Sequence, residues 1–150
     1  MKGWTNMNAM RLEFDGQSIN ESLARMAISA FAAQMEPSLE ELADIKTAVS
    51  EGVTNAIVHG YRYHNGKVVM EANIRGNVLT VIIEDFGQGI ADVAAAREPF
   101  YTAAPEEERA GMGFSIMESF MDSLEVKSSP GEGTRLVMKK QIHKRKGDAA

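Results

Sequence analysis

The chain has 150 residues, 44% of them hydrophobic, enough for one domain with a core and too little for two large ones. A formal net charge of -5 and a pI near 5.2 exclude a general affinity for nucleic acid, because backbone binding needs clustered Lys and Arg. The absence of cysteine excludes disulfides, thiolate nucleophiles and zinc-thiolate sites, and suits a reducing compartment.

The opening "MKGWTNMNAM" has no apolar leader core, and no apolar run is long enough to span a bilayer, so a soluble cytoplasmic protein without membrane contact is expected. Residues 10–15, "MRLEFD", alternate like a strand. In "NESLARMAISAFAAQM" Leu23, Met26, Ala27, Ala30 and Phe31 recur at helical spacing, with Asn20 as the expected N-cap. A second helix is predicted after Pro37, where Ser38 and Glu41 stand at capping-box spacing. Its stripe of Ile45, Ala48, Val49, Gly52, Val53, Ala56, Ile57 and Gly60 must face a sheet. "KVVMEANIR" and "NVLTVIIED" read as a hairpin turning at Gly76 and Asn77. Residues 91–110 lack periodicity and read as a long, partly helical loop. "GFSIMESFMD" reads as a helix, and "SLEVKSS" and "RLVMKKQ" as strands joined by the turn "PGEG". This order predicts an α+β fold: one domain over residues 1–150, a two-layer sandwich of a mixed, mainly antiparallel sheet with helices on one face. The basic residues 143–150 lie past the last patterned segment and read as a flexible, solvated tail.

Four local patterns can carry chemistry. Glu51 and Asn55 are one helical turn apart on the shoulder of the apolar stripe, so their side chains project toward one place. Gly52 between them costs about 1 kcal/mol relative to alanine, which points to close approach of a ligand or of the sheet. His59 lies nearer the apolar stripe and reads as structural. In "DFGQG" a carboxylate, Asp85, ends an apolar strand, and Gly87 and Gly89 follow; such an acid can accept from an exocyclic amine, while glycines let a flat ring approach. Gly111 and Gly113 are expected just before a helix, whose first-turn N-H groups and dipole favour phosphate oxygens. "PGEGT" brings the Thr134 hydroxyl to the start of the last strand. Each pattern alone has a plain alternative: an exposed helix face, a strand ending in a turn, a hairpin.

The set and its order carry more than any member. Glu-x-x-x-Asn on a helix, Asp-x-Gly-x-Gly after a strand, Gly-x-Gly opening a helix and Gly-x-Gly-Thr before a last strand resemble the GHKL ATPase and kinase superfamily with its Bergerat nucleotide-binding fold, over residues 40–140. "SEGVTNAIVHGY" and "EERAGMGFSIMESFMD" are most similar to the small anti-sigma factor serine kinases, and among these to the sporulation branch. The short chain agrees, because the superfamily's topoisomerase, chaperone and mismatch-repair members carry further domains.

The resemblance implies roles. Asp85 accepts from the adenine amino group, with Thr134 on the same side and Gly87 and Gly89 giving the ring access. Asn55 is the protein ligand of Mg2+, and Glu51 the general base for an incoming serine hydroxyl. Residues 91–110 correspond to a mobile ATP lid, with Arg109 reaching the terminal phosphate and Gly111 and Gly113 as hinge and phosphate-binding N-H groups. Departures from the usual pattern are Ala104, where a basic residue is common, Ala110, where serine is common, and Gly52, where alanine is common. The implied activity is that of an anti-sigma factor. It forms a homodimer, sequesters a sporulation sigma factor and uses ATP to phosphorylate a serine on an anti-anti-sigma (STAS-type) protein, with ATP and ADP favouring different complexes. Arg25, opposite the Leu23, Ala27 and Ala30 stripe and among small residues such as Ser29 and Ala32, is the expected partner contact. The alternatives are a nucleotide-gated sigma-binding module without turnover and a stand-alone histidine-kinase-like catalytic domain.

Overall fold

The computed structural model describes residues 7–98 and 110–143, with side chains from residue 113 onward in the last helix. In chain order the elements are β1 (Met7–Asp15), α1 (Asn20–Ala32), α2 (Leu39–Thr54), β2 (Lys67–Arg75), β3 (Val78–Asp85), the single turn α3 (Val93–Ala96), α4 (Ala110–Phe120), β4 (Ser123–Ser129) and β5 (Gly133–Gln141). The strands form one sheet in the order β1-β2-β3-β5-β4, and every pairing is antiparallel. The expected α+β sandwich is therefore present in its wholly antiparallel form.

The core lies between this sheet and the helices. Phe14, Val68, Met70, Leu79, Val81, Ile83, Leu136 and Met138 meet Ile28, Ile45, Val49, Val53 and Met117 in one buried cluster. All eight residues of the predicted α2 stripe are buried. The capping box forms as predicted: Ser38 Oγ accepts from Glu41 N-H at 3.0 Å, and Glu41 Oε1 accepts from Ser38 N-H at 2.9 Å. The β2-β3 hairpin turns at Gly76 and Asn77, and Gly76 takes a φ of 62°, the glycine-first arrangement of a two-residue turn.

Three expectations about helices are corrected. Asn20 is the first helical residue, with Ile19 preceding it as the cap, and the Asn20 amide donates to the Asp15 carbonyl at 2.8 Å. The face that α1 buries is Ala24, Ile28, Phe31 and Ala32, which leaves Leu23 and Met26 46% and 71% exposed and Ala30 in solvent. Both stripes satisfy helical periodicity; packing selects the one whose alanines let α1 lie close to α2 and whose Ile28 and Phe31 fill the core. The third concerns the end of α2, which does not remain α-helical to Gly60 but widens into a π-helical segment, Asn55–Gly60, closed by Tyr61 N-H donating to Ala56 O at 2.9 Å. Such segments occur often at functional sites.

Candidate functional site

Sheet register assembles the site. One row across the strands reads Phe14, Val68, Asp85, Thr134 and Ser128, and paired side chains point to the same face, here toward the helices. Asp85 and Thr134, 3% and 4% exposed, are the only buried polar or charged residues among those described. Burial pushes the Asp85 carboxyl up to about 6. The backbone N-H groups of Gly87 and Thr134 hold that rise back, and the nearby Glu84 charge adds to it. Gly87 N-H donates to Asp85 Oδ1 at 2.9 Å.

The glycines after Asp85 are required by contacts within the protein. A Cβ on Gly87 would lie 2.0 Å from the Gly60 carbonyl oxygen, and one on Gly89, at φ 74°, would lie 1.9 Å from the Ser129 carbonyl oxygen. Gly60 in turn packs on the Asp85 carboxyl group, where a Cβ would come within 2.7 Å. The loop after β3 is thus threaded between the end of the π segment and the β4-β5 turn. Gln88 braces it: its N-H donates to Gly60 O at 2.9 Å, its side-chain amide to His59 O at 2.7 Å, and its carbonyl accepts from Gly131 N-H at 2.7 Å. His59 itself is half-buried.

Helix α2 brings the second group. Gly52 faces the sheet, where its missing Cβ leaves room for the Ile83 terminal methyl, so close helix-sheet packing accounts for it. Glu51 and Asn55, both half-buried, are the residues beside that packed stripe; Asn55 caps α2 and opens the π segment. Glu51 Oε2 lies 3.7 Å from where a Gly113 Cβ would stand. The carboxylate and the second glycine motif therefore meet, although their positions in sequence are far apart. Gly111 and Gly113 lie inside the first turn of α4, which starts at Ala110, and do not precede it as expected. First-turn N-H groups still have no intrahelical partner, so the anion-binding property survives this shift. Arg109 and Ala104 lie outside the described residues.

Arg25 stands apart from this centre. Its guanidinium pairs with Glu21 and reaches Ser50 Oγ at 3.5 Å, and Ser50 donates to Glu21 at 2.7 Å. Ser29 donates to the Arg25 carbonyl at 2.8 Å, and Ala32 is fully buried, so Ala32 does not open the approach expected for it.

Two further residues hold the site without having been assigned a role from the sequence. The Tyr61 hydroxyl accepts from Phe86 N-H at 2.8 Å and donates to Lys67 O at 2.5 Å, tying the π segment to β2 and to the Asp85 loop. Ser128 contacts the loop at Ile90 and the hydroxyl of Thr134. The signals for Tyr61 in the sequence were its place at the end of "SEGVTNAIVHGY" and directly after a helix-ending glycine; Ser128 had none. A cavity of about 450 Å3 opens at the same end of the sheet, lined by Asp15, Gly16, Gln17, Asn65, Gly66 and Lys67, and Glu51, Asn55, Asp85 and Thr134 are not among its lining residues.

The arrangement holds a buried carboxyl group beside a buried hydroxyl, and a helix whose first turn lies against the Glu51 carboxylate. Residues 17–140 match the family described as histidine kinase-like ATPase domain. The chain is 54% identical over 133 residues to an anti-sigma F factor of Clostridium kluyveri, covering 89% of this chain and 94% of that protein. It is 56% identical over 137 residues to an anti-sigma F factor of Clostridium perfringens, covering 91% and 98%, and 53% identical over 139 residues to one of a Thermoanaerobacter species, covering 93% and 96%. Among solved structures, the RsbU and RsbW domains of a Mycobacterium tuberculosis protein superpose with a TM-score of 0.68 at 19% identity, over 92% of this chain and 33% of that one, a likeness of fold.

Proposed function

Because the chain belongs to the histidine kinase-like ATPase family, and within it to the anti-sigma F factors, we propose that it sequesters a sporulation sigma factor and uses ATP to phosphorylate a serine of an anti-anti-sigma protein. The observation that carries the nucleotide reading is the buried pair Asp85 and Thr134. Burying a carboxyl group costs free energy, and an adenine amino group donating to it would offset that cost.

In this reading Asp85 and Thr134 hold the base of ATP, and the first-turn N-H groups of Gly111 and Gly113 receive phosphate oxygens. Arg109, outside the described residues, remains the expected contact to the terminal phosphate. Gly87 and Gly89 shape the loop through the backbone contacts described above, and any access they give the ring is secondary to that. The described residues contain no group of three or more His, Cys, Asp or Glu able to hold a metal. Asn55 fits Mg2+ all the same, since that ion takes most of its octahedron from phosphate and water. Mg2+ would supply neutralisation of phosphate charge. Glu51 takes the serine proton as the serine oxygen bonds to the γ-phosphorus and the bridging oxygen leaves with ADP.

The partner surface is assigned to α1. Ile19, Leu23 and Met26 form an exposed apolar stripe beside the Arg25, Glu21 and Ser50 network, which supports a homodimer and a sigma-factor contact on that side. A sigma factor as partner implies action in the cytoplasm. No helix among the described residues is long and apolar enough to cross a membrane.

The test is phosphotransfer from labelled ATP with Mg2+ to an anti-anti-sigma protein, with the acid stability of the product measured. Acid-stable label on serine, lost in Glu51→Gln while ATP binding persists, is the expected result. ATP binding without transfer in the parent chain would favour a nucleotide-gated binding module, and acid-labile label a histidine kinase.

A further inference from the structure

Ser128 lies in the same cross-strand row and on the same sheet face as Asp85 and Thr134. Its Oγ has three partners, each at 2.8 Å: Ile90 N-H, the Gly133 carbonyl oxygen and Thr134 Oγ. A hydroxyl offers one proton and two lone pairs. The Ile90 amide can only donate and the Gly133 carbonyl can only accept. The single Ser128 proton therefore goes to Gly133, one lone pair takes the Ile90 N-H, and the other is left for the proton of Thr134. Every group in the cluster is satisfied by this assignment. In the reverse arrangement, with Ser128 donating to Thr134, Gly133 O would lose its Ser128 donor.

We infer that Ser128 is a specificity-determining positioning residue: it draws the Thr134 proton away from the ligand, so that Asp85 and Thr134 confront a purine with acceptors only and select a 6-amino over a 6-oxo ring. The inference rests on the nucleotide reading of the site. The discrimination falls at the exocyclic position: a 6-amino group brings N-H donors to these acceptors, whereas a 6-oxo group brings a further acceptor there, and its ring carries a donor only at N1. Without Ser128 the Thr134 hydroxyl turns freely and can donate to a 6-oxo group.

The experiment is calorimetric titration of the full chain with ATP and with ITP at about pH 8, where the Asp85 carboxyl is ionised. The parent is expected to prefer ATP. Ser128→Ala is expected to narrow the ATP to ITP affinity ratio by about tenfold, and Ser128→Thr, which keeps the hydroxyl, to restore it. A purely structural role for Ser128 would weaken both nucleotides alike, so an unchanged ratio in Ser128→Ala overturns the inference. Should that variant fail to fold, Thr134→Val replaces it: loss of ATP affinity with ITP affinity retained supports the inference, and equal loss overturns it. A parent that binds ATP and ITP equally overturns the inference and leaves the nucleotide site standing. A parent that binds neither removes both.

Discussion

Asp85 is the residue at which burial and function oppose each other. Its carboxyl titrates at about 6 in the folded chain against an ordinary 3.8, with burial as the main cause. The folded state therefore holds its proton more tightly than the unfolded state. Between about pH 4 and pH 6 stability falls as pH rises, and above that range the full penalty for the buried charge is present. Asp85→Asn is expected to stabilise the protein at about pH 8 by about 1–2 kcal/mol, because the amide keeps an acceptor for Gly87 without the charge. That advantage should shrink as pH falls through 6, and urea titrations at several pH values would read it; a pH-independent difference would contradict the burial argument. The same substitution replaces an acceptor-only carboxylate by a group that also donates, so ATP affinity should be lost. Gly87 offers a second residue-scale prediction. Gly87→Ala puts a methyl against the Gly60 backbone, which has no means of yielding, and should cost about 3 kcal/mol or more along with nucleotide binding, measured by thermal melting and calorimetry. The sequence marked Asp85 by its place at the end of an apolar strand. It could not give this reason for Gly87, because the colliding atom belongs to a distant residue.

At the scale of elements, α2 shows how one glycine can be dispensable and another not. A Cβ on Gly52 would come 2.6 Å from the Ile83 Cδ1 methyl, the far end of a side chain able to rotate away. Alanine inside a helix is favoured over glycine by about 1 kcal/mol. Gly52→Ala should therefore change stability by no more than about 1 kcal/mol in either direction, with its sign set by how far Ile83 moves; denaturant melting against the parent checks this. A loss comparable to that of Gly87→Ala would mean that the contact between α2 and β3 is rigid at this point. The capping box of α2 was legible because its four residues are contiguous. The π segment was not: its carbonyls at His59 and Gly60 accept from Gln88, a residue of the distant loop after β3.

The whole molecule is a sheet covered on one face, with an additional apolar stripe on the outside of α1. Met26→Glu places a charge in that stripe without touching the core, so stability should change by less than about 0.5 kcal/mol. If the proposed homodimer forms there, sedimentation or light scattering should show a dimer for the parent and a monomer for this variant; a monomeric parent would remove the dimer from the proposal. The sequence by itself determined the kinds and order of the elements, the hairpin at Gly76 and the buried stripe of α2. Those follow from periodicity, turn chemistry and the spacing of neighbours, which a linear text records. Tertiary structure alone decided which of two apolar stripes of α1 turns inward, why the loop after Asp85 needs its glycines, and that Tyr61 and Ser128 hold the site. Tyr61 reaches Phe86 across 25 positions and Ser128 reaches Ile90 across 38, and contacts at such separations exist only after the sheet has set its register.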